Sequence, residues 1–435
     1  MSEQVIYSPL SKYLSVIRNG TVSTQVSEIT EFPVTRIETI ADGTIDLSKI
    51  GYLADKISTY KLKKWDILYS HINSFKHVGK VAQYEGGKDL YHGMNLLLLR
   101  PNEHIDPKYL YYSLSSSQAK RYAQKECQKA INQVSLNTKT VGAYEFYVPP
   151  IYEQKVIAKI LYTLDTQIRQ TEAIIAKLQQ VKQGLLHDLL TRGIDANGQL
   201  RPPYEQASEL YRDSPLGWIP KEWEIISLGD IASRSFGTLQ TGPFGSQLHA
   251  YEYVSEGIPV IMPQDLNGEQ IDANKIAYIT EERAKKLGKH RVTSNDVVFS
   301  RRGDLSRCVA INESEAGWVC GTGCLLVRLP KSEILGEWLS LTYKQAWSQK
   351  QIEGMAVGST MPNLNTSILA KFIIAKPPAD EQRSILDFYV ESEKRQHLEQ
   401  KTLAKRKQQK FGLMDDLLTG RKQVTELIEQ QQQAS

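Results

Sequence analysis

Cysteine is scarce in this chain, with four residues, at positions 127, 308, 320 and 324, among 435. Cys320 and Cys324 are the one close pair, and a metal ion there would need two further ligands that no neighbouring His or Cys motif supplies. The thiols therefore read as buried or incidental, and the eight histidines show no ligand spacing either. Long apolar runs are missing too. No stretch of about 18 apolar residues occurs, and the first residues lack the charged-then-apolar pattern of a signal peptide, which predicts a cytoplasmic protein with no membrane partner. Catalytic signatures are equally absent. There is no phosphate loop of the G-x-x-x-x-G-K-[ST] type and no G-x-G-x-x-G following a strand. Carboxylates are scattered rather than grouped with lysine as a metal-dependent nuclease requires. Arg201-Pro202-Pro203-Tyr204 comes nearest to a base-methyltransferase motif, but it lacks the leading Asp or Asn that would hold an exocyclic amine, so it reads as structural. These absences leave no catalytic residue and no metal ligand to nominate, and they favour a binding protein over an enzyme.

What is present is a duplication. At a fixed offset of 228 positions, 18 of the 56 residues from 136 to 191 are identical without a gap, where common-residue frequencies of ~5 to 7% would give about 3 or 4. Leu136-Asn137-Thr138 returns as Leu364-Asn365-Thr366, Pro149-Pro150 as Pro377-Pro378, Glu153-Gln154 as Glu381-Gln382, and Asp188-Leu189-Leu190-Thr191 as Asp416-Leu417-Leu418-Thr419. A period this long is a whole domain plus a helix, not a solenoid repeat. The length suits two to four domains, and 41% hydrophobic residues are ample for folded cores. A net charge of +4 leans toward a polyanionic partner without requiring one.

The better-matched part of the repeat is helical. Each copy starts after a Pro-Pro pair with an acidic residue in the first turn, where the helix dipole favours it. In the first copy Ile157, Leu161, Leu164, Ile168, Ile175, Leu178, Val181, Leu185 and Leu189 recur at helical steps. The second carries Ile385, Phe388, Tyr389, Leu403, Phe411, Met414, Leu417 and Leu418 around a polar middle from Glu391 to Lys401. Helices of roughly 35 residues, on the order of 50 Å long, cannot keep such stripes in water, which predicts that the two pair as an antiparallel coiled coil. The expected organisation is a first α+β domain at 1–149, a long helix at 150–193 and a linker at 194–221 pinned by Tyr211, Leu216 and Trp218. A second α+β domain follows at 222–376, then the second long helix at 377–424 and a polar tail at 425–435. Within the domains, Lys64-Trp65-Asp66-Ile67-Leu68-Tyr69-Ser70 matches Ser294-Asn295-Asp296-Val297-Val298-Phe299-Ser300, and Phe32-Pro33-Val34 matches Ile258-Pro259-Val260. Both pairs read as equivalent strands of related domains.

Candidate contact loops lie at equivalent points. Arg301, Arg302 and Arg307 follow the Asp-Val-Val-Phe-Ser strand on a glycine-bearing turn, and arginine takes phosphates or reads guanine with two hydrogen bonds. The corresponding loop of the first domain offers Asn73, Lys76 and His77, donors suited to other base edges. Two further loops, 238–247 with Gln240, Thr241, Ser246 and Gln247, and 357–360 with Ser359 and Thr360, combine glycines that let backbone approach a phosphate with side chains that fix register.

The Leu-Asn-Thr repeat, the Pro-Pro-x-x-Glu-Gln helix starts, the Leu-Leu-Thr helix ends, Gly217-Trp218-Ile219-Pro220-x-x-Trp223 and Gly242-Pro243-Phe244-Gly245-Ser246 together make the chain resemble the DNA specificity subunits of Type I restriction-modification systems, over nearly its whole length. The first domain departs from this pattern, starting at Tyr7-Ser8-Pro9-Leu10 without a Trp-Ile-Pro lead-in. The resemblance implies two target-recognition domains, each reading one half of a split double-stranded DNA sequence, and helices that set the spacer. It implies a chain with no catalytic activity and no cofactor of its own, joined by two methyltransferase subunits and by restriction (motor/nuclease) subunits. S-adenosylmethionine, ATP and Mg are expected on those partners, and Glu153, Gln154, Glu381 and Gln382 are expected at the subunit interface. A methylation-only or other phage-defence system, or a protein-interaction scaffold, stands as the alternative setting.

Overall fold

In Ile67–Ser70 and Leu96–Pro101, as in Val297–Ser300 and Cys324–Arg328, apolar residues run almost unbroken, the signature of strands buried on both faces. The computed structural model describes residues 6–40, 43–55, 58–131, 133–268, 270–356 and 363–424. The chain packs as two units, one made of described residues within 1–175 and 398–435, the other of those within 176–397.

The first unit is built on β1 (Tyr7–Pro9), β2 (Leu14–Asn19), β3 (Ile67–Ser70), β4 (Val81–Gln83), β5 (Leu96–Pro101) and β6 (Glu145–Tyr147). Strands β2-β5-β3-β4 form an antiparallel sheet in that order, and β1 pairs with β6. Alternation sends Ile67, Tyr69, Leu97 and Leu99 into a core shared with the helices, and Leu68, Ala82, Leu96 and Leu98 into a second core on the other face. Helices α1 (Pro107–Ser115), α2 (Ser117–Glu126) and α3 (Thr138–Gly142) follow. Asn137 caps α3 by accepting from Thr140 N, and α4 (Ile151–Thr191) begins after the Pro149-Pro150 stop. Just before β3, Trp65 takes a left-handed φ of 76°. Asp66 is buried beside it and receives two hydrogen bonds from Arg100, both 2.7 Å.

The second unit repeats this plan. Its β7 (Glu224–Ser227), β8 (Thr238–Thr241), β9 (Val297–Ser300), β10 (Cys308–Ala310), β11 (Cys324–Arg328) and β12 (Ile373–Lys376) give the antiparallel order β8-β11-β9-β10, with β7 paired to β12. The same two-sided alternation places Val297, Phe299, Leu325 and Val327 in one core and Val298, Cys324 and Leu326 in the other. Helices α5 (Leu228–Ser235), α6 (Glu281–Lys286), α7 (Gly336–Tyr343), α8 (Ala346–Ala356) and α9 (Thr366–Ala370) precede α10 (Ala379–Leu417). Asn295 has φ 79° and the buried Asp296 pairs with Arg328 at 2.6 Å, matching Trp65, Asp66 and Arg100. Asn365 caps α9 as Asn137 caps α3. Strand β1 thus occupies in the first unit the place that β7, after the Trp-Ile-Pro lead-in, occupies in the second. All four cysteines are buried and free.

In each unit the long helices run antiparallel. Lys410 and Lys407 pair with Asp165 and Glu172 at 2.5 and 2.8 Å in the first unit, and Lys182 pairs with Glu393 in the second. The start of α4 and the end of α10, through Ile157, Leu161, Leu417 and Leu418, enter the first core. The end of α4 and the start of α10, through Leu189, Leu190 and Ile385, enter the second. The apolar stripe is narrower than the sequence predicts, since Val181, Phe388 and Phe411 are exposed. The second helix ends at Leu417, not 424, because the chain turns at Gly420 (φ 72°) and carries Val424 back into the core. The linker is ordered, with Tyr211 buried and Trp218 stacked on Tyr204 at 4.1 Å. The polar tail at 425–435 lies outside the described residues.

Candidate nucleic-acid interface

Strand β9 delivers the chain into Arg301, whose N–H donates to Gly323 O (2.9 Å) and whose carbonyl accepts from Leu364 N (2.9 Å). Its guanidinium Nε donates to Asn363 Oδ1 at 3.2 Å. The turn Gly321-Thr322-Gly323 also holds the 242–247 loop, since Gly242 N donates to Cys324 O (2.9 Å) and Thr322 Oγ1 to Pro243 O (2.9 Å). A Cβ on Gly242 would lie 2.0 Å from Gly321 O, so this approach requires glycine. Four separate stretches of sequence thereby form one cluster at one end of the β8-β11-β9-β10 sheet.

Within that cluster the nominated residues have unequal standing. Arg302 and Ser246 are exposed, and Arg302 makes no ion pair among the described residues. Arg301 is half-buried and committed to Asn363. Arg307 pairs with Asp304 at 3.2 Å. Asp304 is held below the ordinary carboxylate range, first by the Ser306 hydroxyl and backbone and then by Arg307, so the expected trio of free guanidinium groups reduces to one. Gln247 closes its own loop, accepting from Phe244 N at 3.1 Å. Gln240 donates to Lys289 O, and Thr241 pairs with Leu325 in the sheet. Ser359 and Thr360 lie outside the described residues.

The first unit holds the same cluster with other side chains. His71 O accepts from Leu136 N at 2.8 Å, as Arg301 O does from Leu364. The Gly93-Met94-Asn95 turn replaces Gly321-Thr322-Gly323, with Asn95 left-handed at φ 67°. A Cβ on Gly20 would lie 1.8 Å from Gly93 O, repeating the Gly242 arrangement. Burial pushes His71 down to about 4, so its ring is neutral and faces inward. Asn73 spends its amide locally, donating to Ser70 Oγ (2.9 Å) and accepting from Ser74 N (2.8 Å). Lys76 is exposed. His77 is held below its ordinary value first by the charge of Lys80, then by slight burial, then by Lys76 and Lys120. Lys129 lies 5.6 Å over the ring of Phe75. Together these make a basic patch that sequence reading missed beyond Lys76 and His77. Lys80, Lys120 and Lys129 come from a turn, a helix and a strand whose meeting no local pattern announces. The Gly20–Ser23 loop was missed as well, although Gly93 and Gly321 stand at the same 228-residue offset as the helices.

Glu153, Gln154, Glu381 and Gln382 are not at a surface. Gln154 is buried, accepts from Asp106 N at 2.8 Å and donates to Pro149 O at 2.8 Å. Gln382 accepts from Leu335 N and donates to Pro377 O, both at 2.9 Å. Each glutamine ties a helix start to its own domain. Glu381 accepts from Ile194 N, Arg201 and Trp223 Nε1, and Glu153 is buried. The side chains of Gln154, Glu381 and Gln382 are hydrogen-bonded within the chain and Glu153 is buried, rather than presented outward to a partner subunit. Among the described residues no three His, Cys, Asp or Glu side chains group as a metal site, and no helix is long and apolar enough to cross a membrane.

The family model described as Type I restriction modification DNA specificity domain matches this chain twice, at residues 15–180 and 220–405. A Methanocaldococcus jannaschii protein provisionally assigned as the MjaX specificity subunit of a type I restriction enzyme is 33% identical over 95% of this chain and 92% of its own length. The MjaVIII specificity subunit of the same organism is 24% identical over 79% of this chain and 76% of its own length. The solved S subunit of a Type I restriction-modification system from M. genitalium superposes with a TM-score of 0.56 at 15% identity, covering 96% of this chain and 97% of that one.

Proposed function

Since the chain belongs to the Type I restriction modification DNA specificity family, we propose that it is the non-catalytic subunit that gives a Type I restriction-modification complex its DNA sequence specificity. Each unit reads one half of a bipartite target in double-stranded DNA, and the α4 and α10 pair sets the spacer between the halves. The observation that carries this reading is the repeated scaffold with unlike tips. One plan of strands holds one loop cluster per unit, with Lys76, Lys80, Lys120 and Lys129 around the first and Arg302 and Ser246 exposed on the second. Lysine patches bind phosphates and fix register, and the loop side chains discriminate base edges.

The helices dock two methyltransferase subunits. Apolar side chains left in water along them, Ile174, Leu398 and Phe411 in the first unit and Val181, Phe388 and Val390 in the second, supply surface for partner helices. S-adenosylmethionine, and ATP with Mg, belong to the methyltransferase and restriction subunits that complete the assembly. The test is co-expression with the neighbouring methyltransferase subunit in a methylation-free host, followed by long-read mapping of modified adenines. A split motif with a fixed spacer is expected. A stable complex that modifies nothing would overturn the reading.

A further inference from the structure

The loop-cluster equivalence pairs two residues that carry no polar function. Counting from the glycines lodged against Gly93 O and Gly321 O, the second residue of each loop is apolar and exposed, Val22 at 83% and Phe244 at 54%. A single exposed apolar side chain is ordinary. Here the same position is apolar in two domains whose neighbouring loop residues differ, and the backbone beneath each is fixed. Phe244 N donates to Gln247 Oε1 (3.1 Å), and Phe244 O accepts from Gln247 N (2.7 Å) and Leu248 N (3.1 Å). Arg283, paired with Glu252, donates to Gln247 O, and Thr322 holds Pro243 O. In the first unit Thr21 N donates to His92 O (3.0 Å), and Ser23 N donates to Thr21 Oγ1 (3.1 Å). A rigid turn that displays an apolar tip loses little freedom when the tip is covered.

We propose that Val22 and Phe244 are apolar base-contacting tips, each pressing on the base pairs of its own half-site while the basic residues hold the phosphates. This inference rests on the DNA-reading function proposed above. An aliphatic tip suits a thymine methyl at the edge of a base pair, and a phenyl suits the same methyl or a wedge at a base step.

The test uses the full chain with its methyltransferase subunit. Phe244→Ala is expected to lower the methylation rate at the mapped motif roughly tenfold, the scale of one lost base contact in a duplex, and to relax positions in one half-site only. Val22→Ala is expected to relax the other half. Because no phosphate contact is removed, the dependence of DNA affinity on salt should keep its slope. Phe244→Leu, which keeps an apolar tip, should retain most of the activity and guards against a folding artefact. If both alanine variants modify the wild-type motif at the wild-type rate, or both relax the same half, the inference is overturned while the DNA-reading function stands. A wild-type complex that yields no split motif would overturn both.

Discussion

Arg302 is the exposed guanidinium of its loop that makes no ion pair among the described residues, whereas Arg301 is held by Asn363 and Arg307 by Asp304. Arg302→Ala should therefore weaken binding by about 1–3 kcal/mol if it reads a base, with relaxation confined to the half-site of the second unit. Mapped motifs would show this, and loss in the first half-site would refute it. Sequence reading could find these arginines because they follow a recognisable strand. It could not rank them, because Asn363 lies 62 residues from Arg301. Burial likewise separates His71 and His92 from the histidines left in water. Both are lowered from 6.5 to about 4 by burial, so the unfolded chain takes up their protons first. Neither carries a protonation cost above about pH 6.5, and stability is lost as pH falls from there toward 4, by on the order of 3 kcal/mol for the deeply buried His92 and by less for the partly desolvated His71. The thermal midpoint should drop across that window. A His92→Gln variant should show a shallower decline whatever its absolute stability, and an unchanged slope would exclude this cause.

Helix starts were legible because their signals are local: the Pro-Pro stops stand just before both α4 and α10. The end of the second helix was not, since it falls at Leu417 rather than 424, and the repeated Leu-Asn-Thr motif proves to carry the Asn137 and Asn365 caps of α3 and α9. What holds the helices to the domains was not legible. Glu381 and Glu153 look like first-turn acidic residues suited to the dipole and open to partners, yet Glu381 is 8% exposed and faces Arg201, equally buried, from a linker 180 residues earlier. Trp223 and Ile194 N complete its hydrogen bonds. Arg201-Pro202-Pro203-Tyr204 is thus a latch between the linker and the start of α10. Arg201 also pairs with the more exposed Glu222 at 2.8 Å, so Glu381→Ala leaves the buried guanidinium only partly compensated and should destabilise the second unit by less than the roughly 3–5 kcal/mol of a fully orphaned charge. Amide exchange should rise across 192–223 and at the start of α10, with 7–40 and 67–147 unaffected. Equal loosening of both regions would show that the latch is not local to its unit.

The duplication was readable at the scale of the whole chain, but its partition was not. Sequence boundaries treat the long helices as separate segments, whereas each compact unit takes one part of α4 and the antiparallel part of α10. Antiparallel pairing explains the difference, because it brings the end of one helix to the start of the other and no single-helix pattern encodes its partner. If the helix pair sets the spacer, its length is the variable to change. Deleting one matched heptad from α4 and from α10 removes ~10 Å at ~1.5 Å per residue, or about three base pairs at ~3.4 Å each. The loop clusters are untouched by such a deletion. The expected outcome is a methylation motif with both half-sites kept and the spacer shortened by about three base pairs. Stagger between the shortened helices must be preserved, so the facing ion pairs Asp165–Lys410 and Glu172–Lys407 should be removed or retained together. A single-helix deletion, which breaks that register, should abolish modification. A matched deletion that folds, binds the methyltransferase subunit and modifies the original motif at the original spacing would show that the helices do not set the distance.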